Sequence, residues 1–175
     1  MKDETKKYIT KKYITAARYA FDFMLASHLG WLYEIVCVWI LLRAYYDRGV
    51  LHLPMCPIYG FGLFVLLVVF RKNAHPLPVF AGSFLITSVI ELAASYIVEY
   101  GFHTILWTYE GWPLNFQNRI SAVSSGIFAL MAVLFINVIR PLTEKLFSSR
   151  YGRIAAVVIW TLVGFCILWE VHCLV

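Results

Sequence analysis

Apolar residues run in long blocks along this chain, and polar residues gather in clusters between them. The blocks cover roughly residues 19–44, 56–70, 77–101, 121–142 and 153–175. About 20 apolar residues cross a hydrocarbon core of about 30 Å, so most of these blocks predict full-length membrane-spanning helices. The second block is short. From Pro57, which suits a first helical turn because its missing N–H would be unbonded there anyway, to Phe70 it rises only about 21 Å at about 1.5 Å per residue. The preceding "VLHLPM" (50–55) predicts irregular chain that dips below the outer surface, a course tolerated only where protein or a water-filled cavity surrounds the backbone. The pattern therefore predicts an all-α integral membrane bundle of five transmembrane helices, the short second one preceded by an irregular or re-entrant segment. Residues 1–18 read as a basic cytoplasmic juxtamembrane segment and 19–175 as one five-helix transmembrane domain.

Composition agrees with this pattern. The 175 residues are 61% hydrophobic and only 14% charged, where a soluble domain carries about a quarter charged residues. The first apolar block follows a long basic stretch and lacks a small-residue cleavage site, so it is expected to remain as a signal-anchor helix. Twelve of the 15 Lys and Arg, among them Lys7, Lys11, Lys12, Arg18, Arg71, Lys72, Arg140 and Arg153, fall on one side if the amino terminus is cytoplasmic; only Arg43, Arg48 and Arg119 fall on the other. That bias predicts a multi-pass membrane protein with its amino terminus inside and its carboxyl terminus outside. The net charge of +5 is then an asymmetry facing anionic lipid, and no nucleic-acid partner is expected. In "KKYITKKYIT" (6–15), Tyr8, Ile9, Tyr13 and Ile14 are placed either against the inner leaflet or in a solvated juxtamembrane stretch.

Once the topology is set, the polar residues of the apolar blocks collect on the outward side. Glu34 lies in the first block, Glu91 and Glu99 in the third, and Glu170 and His172 near the end of the fifth. A charged group deep in a bilayer costs roughly 2.5–3.5 kcal/mol on insertion scales, so it normally faces the bundle interior or water and has a partner. Glu91, Ser95 and Glu99 recur every four residues and form a polar stripe along one helix face. Arg119 is the outside cation placed to neutralise one of them, with Tyr59, Asn115 and Asn118 as further hydrogen-bonding groups. The competing reading is that these acids are protonated or hydrogen-bonded between helices and hold the bundle together. Cys37, Cys56, Cys166 and Cys173 show no metal-ligand spacing and read mainly as buried thiols, so no metal is expected. The Gly60 and Gly62 pair lacks the rest of a dinucleotide fingerprint, and no cofactor is expected.

The blocks "GWLYEIV" (30–36), "RGVLHLPMCPIYGFG" (48–62), "IELAASYIVEYGF" (90–102) and "LWTYEGWPLNFQNRI" (106–120) together resemble the bacterial type IV ABC-transporter family of CmpB-like permeases. By that resemblance Trp31, Glu34, Pro54, Cys56, Pro57, Ile58, Tyr59, Gly60, Glu91, Glu99, Trp107, Tyr109, Asn115, Arg119 and Ser125 stand at motif positions. Asn118 stands where the family pattern carries glycine, and "SSGIFAL" stands where a tryptophan-glycine pair is common.

The resemblance implies a permease component, and three functions compete. The first is a small permease-like protein whose outward acidic and aromatic pocket, built from Glu34, Cys56, Tyr59, Glu91, Glu99, Trp107, Tyr109, Asn115 and Arg119, binds or transports a small solute or cation. The second is an intramembrane enzyme acting on lipid or envelope precursors at the outer surface, with Glu34 or Glu91 as general acid or base and Arg119 holding an anionic group; no catalytic residue is assigned. The third is a non-catalytic membrane assembly partner. Besides the lipid bilayer, the expected partners are an ABC ATPase or other transporter subunit and a second copy of the chain.

Overall fold

The computed structural model describes residues 2–43, 45, 52–70 and 74–174. Arg48, Arg71 and Lys72, which entered the charge bias, lie outside the described residues, as does the start of the segment 50–55. The architecture is all-α: α1 (Lys2–Leu42), α2 (Pro57–Val69), α3 (Pro76–Phe102), α4 (Ala122–Leu134), a π-helical turn (Phe135–Ile139), α5 (Arg140–Ser148) and α6 (Gly152–Leu174). A two-stranded antiparallel ribbon, β1 (Asn115–Phe116) and β2 (Ile120–Ser121), lies in the connection between α3 and α4. Among the described residues, four helical stretches are long and apolar enough to cross a membrane: 7–40, 76–102, 122–148 and 152–173. With 13 residues, α2 rises about 20 Å and falls short of a full crossing.

Two helix boundaries differ from the sequence pattern. α1 begins at Lys2, far ahead of the apolar block, because residues 2–29 contain neither proline nor glycine to interrupt it. The apolar block ends at 142, yet the helix runs on through Pro141 to Ser148. Proline has no N–H to donate and its ring crowds the carbonyl four residues back; the π turn just before it widens the spiral and accommodates both effects.

The described residues form two compact units: Met1–Phe64 with Arg140–Val175, and Val65–Ile139. In the first, Ala17, Phe147, Ala156 and Ile159 form a buried cluster. Next to it, Arg18 Nη1 donates to Glu144 Oε1 at 2.7 Å, Arg140 Nε lies 3.5 Å from the same oxygen, and fully buried Asp22 faces these groups and Thr143. In the second, Leu66, Val79, Ala132 and Ile136 form the core, and Ser83, Ser124, Ser125 and Ala129 are buried along α3 and α4. Ser88 Oγ donates to Ser125 Oγ at 2.7 Å, so small polar residues serve the close contact of α3 with α4.

Candidate functional site

In the first unit the proline-bounded corner is fixed through its backbone. Residues 52–56 are non-helical, the Cys56 N–H donates to the Ser27 carbonyl at 3.0 Å, and Tyr59 N–H closes the first turn of α2 onto the Cys56 carbonyl at 3.1 Å. Cys56 is buried. One turn into α2, Tyr59 Oη donates to Glu34 Oε1 at 2.8 Å. Two glycines make this approach possible. A Cβ on Gly30 would lie 2.1 Å from Tyr59 Cγ, and one on Gly60 would lie 2.5 Å from Phe23 Cδ2 and 2.7 Å from Ser27 Oγ. Gly62, two residues on, meets no atom within 4 Å and faces open space. In the same unit, His52 Nδ1 lies 3.3 Å from Glu170 Oε2, and Trp169 Nε1 donates to the His52 carbonyl at 3.0 Å.

The polar stripe of α3 lies in the second unit, and the connection between α3 and α4 provides its partners. Buried Glu91 accepts from Tyr109 Oη at 2.5 Å, and the same hydroxyl lies 2.7 Å from Ser124 Oγ. Two turns further along, Glu99 forms an ion pair with Arg119, whose Nη1 reaches Ser95 Oγ at 3.5 Å and whose guanidinium lies 4.2 Å from the Tyr96 ring centroid. The hydrogen bond that Arg119 donates to Glu99 holds its guanidinium above the ordinary range.

The connection is held rigid by its own bonds. Trp107 Nε1 donates to the Arg119 carbonyl at 3.1 Å, and Tyr109 N–H donates to the Asn118 carbonyl at 2.8 Å. Asn115 is exposed and acts on the ribbon: its Nδ2 donates to the Trp112 carbonyl at 2.9 Å, and its Oδ1 accepts from Asn118 N–H at 3.3 Å. Gln117 and Asn118 both adopt left-handed backbone, with φ of 53° and 56°. Asparagine tolerates that region better than most side chains, which explains how it stands where the family pattern has glycine. Ser121 then caps α4 by accepting from Val123 N–H at 3.2 Å.

Between the end of α3 and this connection lies a cleft of about 240 Å³ lined by Ser95, Val98, Glu99, Ile105, Leu106, Trp107, Thr108, Gln117, Asn118 and Arg119. Of the residues expected at a site, Glu99, Trp107 and Arg119 line the cleft; Glu91 and Tyr109 are paired within the same unit; and Glu34, Cys56 and Tyr59 belong to the other unit. Gly30, Tyr96 and Ser124 were not anticipated. A lone glycine in a long apolar helix and a serine pair at a helix start were the available signals.

A family model described as "Putative ABC-transporter type IV" matches residues 21–172, in agreement with the resemblance drawn from the motifs. No curated protein and no solved structure matches the chain.

Proposed function

The chain belongs to the type IV ABC-transporter family of CmpB-like permeases, and from that premise we propose that it is a permease-like subunit whose outward-facing acidic and aromatic cleft binds a small solute or cation. In this reading the chain crosses the membrane five times, with its amino terminus inside and its carboxyl terminus outside, and the irregular segment before α2 enters the bilayer from the outer side. Glu34, Cys56 and Tyr59 then form a separate polar cluster within the first unit.

The observation that carries the reading is the cleft. Val98, Ile105, Leu106 and Trp107 give it apolar walls, while Glu99, Arg119 and neighbouring amides and hydroxyls converge on it. Small-molecule sites have this combination of an apolar concavity and a few polar groups. The Tyr109 contact to Glu91 and Ser124 ties the connection to α3 and α4, so the cleft has a firm mounting.

The test is thermal stabilisation of the purified chain in lipid nanodiscs by a panel of small cations and organic solutes. A stabilising compound should lose its effect in Glu99→Gln and in Glu91→Gln while helical content stays unchanged. Stabilisation that both variants retain in full, or none by any compound, refutes the site. The family also supports an ABC ATPase as partner, with the cytoplasmic end around α5 as its contact. Recovery of an ATPase with the chain from native membranes checks that part, and recovery of the chain alone counts against it.

A further inference from the structure

The charges that line the cleft already form a pair, and this restricts what can bind there. Glu99 and Arg119 are in contact, with side chains 31% and 21% exposed, so a ligand in the cleft meets both. A simple cation that engages Glu99 must take it from Arg119 and leave the guanidinium without its carboxylate. A simple anion on Arg119 leaves Glu99 unpaired in the same way. Removing one partner of a partly dehydrated pair is costly, because the remaining charge keeps its desolvation penalty without its compensation. A molecule that carries both charges avoids this cost, since each half of the protein pair exchanges one opposite charge for another.

Resting on the cleft reading above, we infer that the ligand class is a zwitterion of amino-acid type, its carboxylate received by Arg119 and its ammonium by Glu99 in place of their mutual ion pair. The surroundings suit the exchange. Arg119 is held from two sides, by the Tyr96 ring beneath its guanidinium and by the Trp107 bond to its carbonyl, so it keeps its position when Glu99 turns to a ligand. Ser95 Oγ donates to the Leu92 carbonyl at 2.8 Å and accepts from Arg119 Nη1 at 3.5 Å, a further tie on the guanidinium. The ligand's side chain would lie against Val98, Ile105 and Leu106 on the cleft wall.

Isothermal titration of the full chain in nanodiscs with glycine, L-leucine, L-glutamine and L-phenylalanine, each beside its methyl ester and its N-acetyl derivative, tests the inference. The methyl ester keeps only the positive charge, and the N-acetyl form only the negative. At least one parent amino acid should bind, with both of its derivatives at least tenfold weaker. In Glu99→Gln the N-acetyl form should gain on its parent, and in Arg119→Gln the ester should gain. Esters that bind as tightly as their parents overturn the zwitterion while leaving a cation-binding cleft in place. No binding by any of the twelve compounds overturns it as well; if the wider panel also gives no Glu99-dependent stabilisation, the cleft reading fails with it. The wild-type comparison alone decides the matter even if a variant folds poorly.

Discussion

Replacing Gly30 with alanine tests the corner of the first unit most directly. The new Cβ would lie 2.1 Å from Tyr59 Cγ and 2.2 Å from Cδ2, well inside contact distance. Cγ is the root of the ring, so a rotamer change at the tip cannot relieve the overlap; either the whole ring or α2 itself must move. Overpacking of this kind costs typically about 1–3 kcal/mol. Movement of Tyr59 also breaks its 2.8 Å hydrogen bond to Glu34, worth about 1.5–3 kcal/mol if the acceptor is charged. Against these, alanine in place of helical glycine returns about 1 kcal/mol. The net destabilisation should be roughly 1.5–5 kcal/mol from these terms. Unfolding in mixed micelles followed by far-ultraviolet circular dichroism measures it. Gly62→Ala, which meets no atom within 4 Å, is the control and should be neutral or stabilised. In a Tyr59→Ala background the Gly30 penalty should largely disappear, since the ring it strikes is absent. A Gly30→Ala protein as stable as wild type, or a penalty that persists without the ring, would refute the packing argument.

Tyr109→Phe should destabilise the second unit by about 1–3 kcal/mol, since it takes a donor from buried Glu91; an equal loss in a Glu91→Leu background would show that the bond is not the cause. Asn118→Gly should be close to neutral, whereas Asn118→Val should cost at least about 1–2 kcal/mol at a φ of 56°, with thermal unfolding as the readout. The Glu99 and Arg119 pair should respond to salt but not to alkali. Arg119 has its value raised, so its contribution is complete below the unfolded value and is lost only as pH rises through the still higher folded one; melting curves between pH 7 and 10 should show no transition assignable to it. A Glu99-dependent loss within that range would contradict the assignment.

Hydropathy marks where apolar surface lies, and four spans and the short α2 followed from it. Helix ends do not follow in the same way. The lysine-rich start of α1 is polar yet helical because nothing in it opposes a helix, and Pro141 failed as a stop because one wide turn is enough to accommodate it. The stripe of Glu91, Ser95 and Glu99 was legible because helical periodicity fixes which residues share a face. Its pairing with Arg119 was legible in kind, since Arg119 is the cation of that connection. The choice of Glu99 over Glu91, and of Tyr109 for Glu91, depends on the left-handed turn at Gln117 and Asn118, a backbone state that residue identity permits but does not dictate. Asn115 illustrates the same limit: at a motif position read as ligand-binding, its bonds to the Trp112 carbonyl and the Asn118 N–H could not be read from the sequence.

The unbroken course of α1 has a mechanical consequence. Lys12 and Glu34 are separated by about 33 Å of continuous helix at about 1.5 Å per residue. A regular helix twists little along its length, so a roll imposed at the basic end arrives nearly whole at the other. Whatever grips Lys7, Lys11 and Lys12, whether lipid phosphates or a partner's acidic surface, also holds the shaft on which Glu34 and Gly30 are set, and turning that shaft draws the carboxylate away from Tyr59 or presses it closer.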